Sequence, residues 1–438
     1  MGLYLLALAI ALPFAKQSPC EIRLVSARTC DENGQVTTPT AGDDYYNLKI
    51  TWNVLGTPDK PYRLRATMAD QELFLTPEFK GPGQYSYIVR FIGALDGPID
   101  VSVTIDPDNV SGDTTPKDNT GSFSISPIPP ASAIQYYAPK KIKVAIHTTL
   151  NWSGTRPYSY YYLSEPTSEG SQTVLEWAPL PGFVRMHAEP SGQPLHAILI
   201  DKPQSPLEFD EGVTIEARSV RVNRKLLDAV SWRELSNLPA QVRCHLGSEP
   251  NVLPQAPEIQ RFVKDSLPDD FRSKMTPAQV ARALFLAVAK SLTYHLPPVE
   301  NPRTVLKTGQ AACGGMTNVY ISCLRSVGVP ARSNKGFVNH PSRGELVGHA
   351  WSEFYLPGIG WIPEDVTDCN SMHPKGDNAY FFGHMPELNG RLICQRCDSY
   401  AVPKYTITSA ISLTCLDFVM SSNDKTTRVD KITFTPID

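Results

Sequence analysis

The feature that most constrains this chain is a change of hydrophobic period part-way along it. Between about residues 20 and 126, apolar residues recur at every second position: Leu48, Ile50, Trp52 and Val54, then Tyr85, Tyr87, Val89 and Phe91, then Ile99, Val101, Val103 and Ile105. Such alternation puts one face of a strand on a core and the other in water. The turn Gly93-Ala-Leu-Asp-Gly97-Pro98 separates two of these runs, and short strands joined in this way read as a β-sandwich. We expect an immunoglobulin-like sandwich over 17–126, and a Pro-rich linker over 127–133 where Pro127-Ile-Pro-Pro130 breaks the pattern. Alternation resumes at Ile142, Val144 and Ile146 and again at Val213, Ile215 and Ala217, marking a second β domain over 134–250.

Beyond it the period becomes helical. Thr276-Pro-Ala-Gln279 has an N-cap hydroxyl, Pro at the first helical position and Gln three residues after the cap. Val280, Leu284, Ala287, Val288 and Leu292 then line one helix face. A second helix is expected to start near Cys313, burying Val319, Tyr320, Cys323, Leu324 and Val327 and ending at Gly328. Strand-like segments follow at Gly336-Phe-Val, at Ala350–Tyr355 and at Trp361-Ile-Pro, so residues 251–438 read as an α+β domain.

Composition removes several function classes. With 438 residues the chain exceeds the ~250–300 that one core serves, and 41% apolar against 19% charged residues is globular rather than disordered. A net charge of −3 without a basic tract argues against nucleic acid or anionic membrane as partner. The apolar run from Met1 to Ala15 is too short to span a bilayer and suits a signal peptide over 1–16; a buried first strand or helix is the alternative. A secreted or periplasmic protein is expected, with no transmembrane segment in the mature chain. Nine cysteines then imply at least one free thiol and up to four disulfides.

Cys313 is the thiol with chemistry around it. Glycines lie on both sides and a helix is expected directly after it, where unsatisfied N–H groups and the helix dipole stabilise a thiolate. The proton acceptor chosen among nine histidines is His349, at the head of His349-Ala-Trp-Ser-Glu-Phe-Tyr355. An imidazole that shuttles protons needs its second nitrogen held, and Asp365 is placed to do so if Pro357-Gly-Ile-Gly360 turns an antiparallel hairpin. Backbone N–H groups at Cys313, and the Gln310 amide, are candidates for stabilising an oxyanion.

These motifs resemble, in order, the signature of the transglutaminase-like superfamily: Gly309-Gln-Ala-Ala-Cys313, Cys323–Arg332, Gly336-Phe-Val, His349-Ala-Trp-Ser-Glu and Gly360-Trp-Ile-Pro-Glu-Asp365-Val-Thr367. The resemblance is close over about 275–370, looser over the preceding β region and over Tyr380-Phe-Phe-Gly383, and does not extend to residues 20–130. It implies a papain-like core preceded by two β-sandwich-type domains, with Cys313 as nucleophile, His349 as general base and acid, and Asp365 as the orienting carboxylate. Animal cross-linking members carry Trp directly after the cysteine and a second Trp upstream; here Gly314 follows, and no Trp lies between Trp232 and Cys313. No Asp/Glu-rich loop has calcium-ligand spacing. Hydrolysis of a peptide or protein amide is therefore expected ahead of glutamine–amine transfer.

Other readings stay beside these. Cys313 could be a disulfide half, His349 a core histidine and Asp365 a turn residue; Glu364 and Asp368 are fallback carboxylates, with Glu364 on the opposite strand face from Asp365. Cys323, Trp351 and Trp361 read as core or cleft-wall residues. Cys369, His373, His384, Cys394 and Cys397 offer zinc ligand types, but one close cysteine pair is weak evidence, and neither metal nor cofactor is assigned. A non-catalytic binding protein that keeps the fold is the competing reading. The N-terminal sandwich, a spacer or the seat of a cell-surface partner, would serve it.

Overall fold

The computed structural model describes residues 20–437 apart from 32–33, 42–44, 69–70, 76–80, 93–96, 129–130, 157, 188–192, 341–344, 369–380, 386–389, 397–399, 403–404, 408–415 and 420–426. The expected signal peptide, Cys369, His373 and Cys397 thus lie outside the described residues. Two compact units are present, Met1–Pro129 and Pro130–Asp438.

In the first unit, strands β1 (Glu21–Cys30), β2 (Tyr45–Leu55), β3 (Leu64–Met68), β4 (Gln71–Leu75), β5 (Gly83–Ile92), β6 (Ile99–Ile105) and β7 (Thr120–Ile125) form two antiparallel sheets, ordered β1-β2-β5 and β4-β3-β6-β7. The alternating residues Leu48, Ile50, Trp52, Val54, Val101, Val103 and Ile105 are its core, and the Trp52 indole N–H donates to Tyr62 Oη at 3.0 Å. Tyr87 departs from the pattern. It stands 38% exposed, so the alternation of β5 reaches the core at Val89 and Phe91, with Tyr85 partly buried against Trp52, but not at Tyr87.

The second unit opens with β8 (Ile134–Asn151), β9 (Tyr158–Ser164), β10 (Gln172–Trp177), β11 (Val184–His187), β12 (Pro194–Asp201) and β13 (Leu207–Val222). The expected boundary at 250 does not separate two compact bodies. Two C-terminal strands, β18 (Leu416–Val419) and β19 (Thr427–Ile437), return to complete the sheets β11-β12-β9-β18 and β10-β13-β8-β19. Ile432 and Phe434 of β19 pack on the cluster of Ile142, Val144, Ile146, Val213 and Ile215, apolar surface that β8 and β13 would otherwise leave less covered.

Between these β segments lies the α+β core. Helix α1 (Pro257–Ser266) precedes α2 (Pro277–Ser291), whose start is a full capping box: Gln279 N–H donates to Thr276 Oγ1 at 3.3 Å and Thr276 N–H to Gln279 Oε1 at 3.0 Å. Val280, Leu284, Phe285 and Val288 are fully buried, each contributing about 1.5–3 kcal/mol by area. After α3 (Pro302–Thr308), Gly309 at φ +69° turns the chain into the short parallel pairing of Gln310–Ala311 with Thr293–Tyr294. Helix α4 (Cys313–Ser326) follows at once and ends at Gly328, φ +88°. Strands β14 (Ala331–His340), β15 (Glu345–Leu356), β16 (Gly360–Glu364) and β17 (Arg391–Gln395) form one antiparallel sheet ordered β16-β15-β14-β17, and α4 packs on β15.

Candidate active site

The site is built where α4 begins and β15 is entered. Cys313 is the first residue of α4, partly exposed, after an Ala312 N-cap that offers the helix no side-chain acceptor. Its first-turn N–H groups are among those that a helix start leaves without a partner inside the helix. His349 is 8% exposed on β15, one residue before Ala350, whose backbone N–H donates to Cys313 Sγ. The hairpin β15–β16 sets Ser352 opposite Glu364, so Asp365, the next residue, falls beside His349. His349 Nε2 lies 2.6 Å from Asp365 Oδ2, and the His349 side chain also hydrogen-bonds Cys313.

Electrostatics follow from that geometry. Burial pushes the Cys313 thiol up, but the hydrogen bond and charge of His349, helped by the Ala350 N–H, outweigh it and the thiol falls below its ordinary range. Burial likewise opposes a charged His349; the charge and hydrogen bond of Asp365, then those of Cys313, carry the imidazolium well above its usual value. For Asp365 burial is again the opposing effect, overcome by the charges of His349 and Arg391 and by hydrogen bonds, so its carboxyl is held far down. The arrangement favours thiolate and imidazolium together.

Arg391, at the start of β17, was not singled out by sequence. Its Nη1 donates to Asp365 Oδ2 at 2.8 Å and its Nη2 to Asp368 Oδ2 at 2.7 Å. Asp365 Oδ1 accepts the backbone N–H groups of Thr367 and Asp368, each at 3.0 Å. Trp351 stacks on His349 with centroids 6.0 Å apart and carries the Arg391 guanidinium 4.9 Å over its ring; of the two expected readings, core or cleft wall, its full burial makes it core. Glu300 was missed as well. A Cβ on Gly314 would come within 2.5 Å of both Glu300 carboxylate oxygens, and one on Gly315 within 2.1 Å of Val299 O. At Gly315 the neighbour is backbone and leaves no room for a side chain, whereas at Gly314 a larger residue would have to displace the Glu300 carboxylate.

The remaining candidates are placed as follows. Gln310 is exposed, and its backbone N–H donates to Thr308 Oγ1 at 3.4 Å. Glu364 turns to the helix, 2.6 Å from Tyr320 Oη. Cys323 is fully buried in α4. Cys20, Cys244, Cys313 and Cys323 are free thiols, so the four-disulfide arrangement is not present. Of the zinc candidates, Cys394 packs in the apolar cluster with Phe337 and Leu392, and His384 Nε2 lies 3.2 Å from Tyr137 Oη. His349, Asp365 and Asp368 bring donor atoms within 4.8 Å of one another, but the Arg391 guanidinium already supplies the positive charge between the two carboxylates.

Residues 265–366 match the family model of the transglutaminase-like superfamily core. The chain carries a transglutaminase-like domain. Among solved structures it is similar to a Cytophaga hutchinsonii protein described provisionally as a cysteine protease, at 15% identity and a TM-score of 0.49 over 70% of this chain and 93% of that one. The periplasmic domain of TgpA from Pseudomonas aeruginosa is similar at 14% identity and a TM-score of 0.30, over 73% and 95% respectively. The CARDB domain of PF1109 from Pyrococcus furiosus is similar at 11% identity and a TM-score of 0.20, over 25% of this chain and 94% of that one. No curated protein matches the chain. The transglutaminase-like domain matches a family of cysteine-dependent enzymes, and among the described residues no helix is long and apolar enough to cross a membrane.

Proposed function

We propose that this chain is an exported cysteine enzyme that cleaves peptide or protein amide bonds through a thioester, with Cys313 as nucleophile, His349 as general base and acid and Asp365 as its orienting carboxylate. The observation that carries this reading is the continuous relay from Cys313 to His349 to Asp365, with the thiol drawn down and the imidazolium raised. The Cys313 thiolate attacks the carbonyl carbon, and the oxyanion meets the free N–H groups of the first turn of α4. The His349 imidazolium gives its proton to the departing amine, leaving a thioester and a neutral imidazole. Water, deprotonated by His349, then attacks the thioester and releases the acid with the thiolate restored. Hydrolysis is favoured over amine transfer because Gly314 stands directly after Cys313, with the Glu300 carboxylate against it, where cross-linking relatives are expected to carry an aromatic wall.

The test is the pH dependence of iodoacetamide alkylation at Cys313, read by peptide mass spectrometry. Rapid labelling at pH 6 that disappears in His349→Ala is expected, followed by release of amine from peptide libraries without amine incorporation. Labelling unchanged by His349→Ala would make Cys313 an ordinary thiol and leave the fold as a binding module. Incorporation of a dansylated amine would turn the reading to transfer.

A further inference from the structure

We infer that Arg391 is a positioning residue for the Asp365–His349 pair, held in place by the preceding β segment through Gln172. The inference rests on the Cys313–His349–Asp365 reading and deepens it. The Arg391 side chain is 1% exposed and meets three partners at once: Asp365 Oδ2, Asp368 Oδ2 and the face of Trp351. A planar fork bound at both prongs and stacked on a ring has one orientation available. That orientation fixes Oδ2 of Asp365 at the point 2.6 Å from His349 Nε2, while Trp351, gripped on its other contact, stacks on the imidazole itself. One cation therefore sets both the carboxylate and the ring that the imidazole rests against.

The strand bearing Arg391 is an edge strand, and the outward backbone N–H and C=O of Ile393 are both satisfied by one side chain of the β segment. Gln172, on β10, donates from Nε2 to Ile393 O at 3.0 Å and accepts Ile393 N–H on Oε1 at 2.8 Å. Leu392 and Cys394 pack into the cluster of Ile142, Val144 and Val213 on the same side. On its inner edge β17 approaches β14 closely enough that Gly336 must lack a Cβ, which would lie 1.8 Å from Leu392 O. The β segment from 134 to 222 thereby acts as a strut for the catalytic carboxylate rather than as a spacer.

The charge of Arg391 also has a defined sign in the chemistry. The ionisable groups around Asp365 are Cys313 from α4, His349 from β15, Asp368 beyond β16 and Arg391 from β17; Glu353 on β15 is neutralised by Arg332 and Arg396, and Glu364 faces Tyr320. Without the guanidinium, Asp365 presses its negative charge on Cys313 uncompensated and less well aimed at His349. Both changes disfavour the thiolate.

The experiment measures the pH midpoint of iodoacetamide alkylation at Cys313 in the full chain for wild type, Arg391→Met, Arg391→Lys and Gln172→Ala, with thermal unfolding followed in parallel. We expect the Arg391→Met midpoint to rise by about one pH unit, with roughly tenfold slower labelling at pH 6. Arg391→Lys, which keeps the charge but not the fork, is expected to fall between, and Gln172→Ala to move the same way by less. Folded variants that keep the wild-type midpoint and lose only thermal stability would overturn the inference. If Arg391→Met does not fold, Arg391→Met with Asp368→Asn, which removes the stranded carboxylate, carries the same test. Failure of Arg391→Lys to fold would make the residue a folding element and equally overturn it. His349→Ala separates the two levels, since loss of labelling there upholds the triad whatever the Arg391 variants do.

Discussion

The two faces of the sheet β16-β15-β14-β17 hold two carboxyl groups that are neighbours in sequence and equally buried, one neutral and the other charged. Glu364 faces α4, where burial pushes its carboxyl well above the usual range and its partners are the hydroxyls of Tyr320 (2.6 Å) and Ser352 (3.3 Å). The Tyr320 O–H donates to Glu364 Oε1 and lies 3.2 Å from Ala281 O as well, so its single proton is shared between a carboxyl and a carbonyl. Asp365 faces the other way and meets a guanidinium, an imidazole and two backbone N–H groups. Burial is common to both and penalises both as anions. What differs is the supply of donors carrying positive charge, and that alone turns one carboxyl into a structural acid and the other into the anchor of a thiolate–imidazolium pair.

Exchanging the character of the two faces should have its largest effect at Asp365. Asp365→Asn leaves Arg391 with Asp368 as its carboxylate partner, which costs about 1–3 kcal/mol of stability, and removes the support of the imidazolium. Turnover on any responsive peptide is expected to fall roughly 10³–10⁴-fold, with alkylation of Cys313 at pH 6 falling in parallel. An Asp365→Asn enzyme with near-normal alkylation at pH 6 would mean that the face needs no anion. Next comes Gly336→Ala. Its methyl group would strike the Leu392 carbonyl, driving β17 outward and Arg391 with it. We expect about 3 kcal/mol of destabilisation in urea, at the upper end of the overpacking range, together with slower Cys313 labelling.

How far such a comparison was legible beforehand depends on whether the signal is local. The capping box at Thr276, the start of α4 at Cys313, its stop at Gly328 and the hairpin that carries His349 toward Asp365 are written in neighbouring residues, and all four are present. The opposite facing of Glu364 and Asp365 follows from the two-residue period of a strand. Arg391 is different, because its partners lie more than twenty residues upstream and no motif surrounds it. A lone arginine opening the apolar run Leu392-Ile-Cys394 was the available clue, since a buried guanidinium requires carboxylates nearby. Glu300 was hidden for the same reason, though two glycines after Cys313 announced that something lies close against the helix. The return of β18 and β19 to the β segment had no local signature, because strand pairing across the chain is decided by which apolar faces remain uncovered.

The titration of the two carboxyls should separate the faces in opposite directions. For Glu364 the folded-state pKa is raised, so its contribution is intact below the ordinary glutamate range and is lost as pH rises, when only the unfolded chain can ionise freely. Glu364→Gln keeps a hydrogen-bonding head but cannot ionise, and its stability relative to wild type should increase steadily from pH 4 to pH 8. For Asp365 the folded-state pKa is depressed, so its contribution is present above the ordinary aspartate range and is lost as pH falls through and below it. The deficit of Asp365→Asn should therefore shrink toward acid. Urea midpoints at four or five pH values test both; parallel slopes would show that the donors, not the faces, had been misassigned. Tyr320→Phe, which strands the Glu364 acid, should cost about 1–3 kcal/mol at every pH below 6.

The smallest effect belongs to the other cysteine of α4, and it sharpens what distinguishes Cys313. Cys323 lies on the same helix, fully buried, and burial alone drives its thiol far up; no imidazole or N–H group opposes that. It behaves as a small apolar residue. Cys323→Ala should cost about 1 kcal/mol for the volume removed and leave both the rate and the pH midpoint of Cys313 labelling unchanged. In native protein iodoacetamide should modify Cys313 within minutes at pH 6 while Cys323 stays unmodified until the chain is unfolded. Were Cys323 to label at a comparable rate, α4 would be opening in solution, and the reactivity of Cys313 would reflect exposure rather than the helix terminus and His349. The pair thus serves as an internal standard on one helix: one thiol made acidic by its partners, the other made inert by their absence.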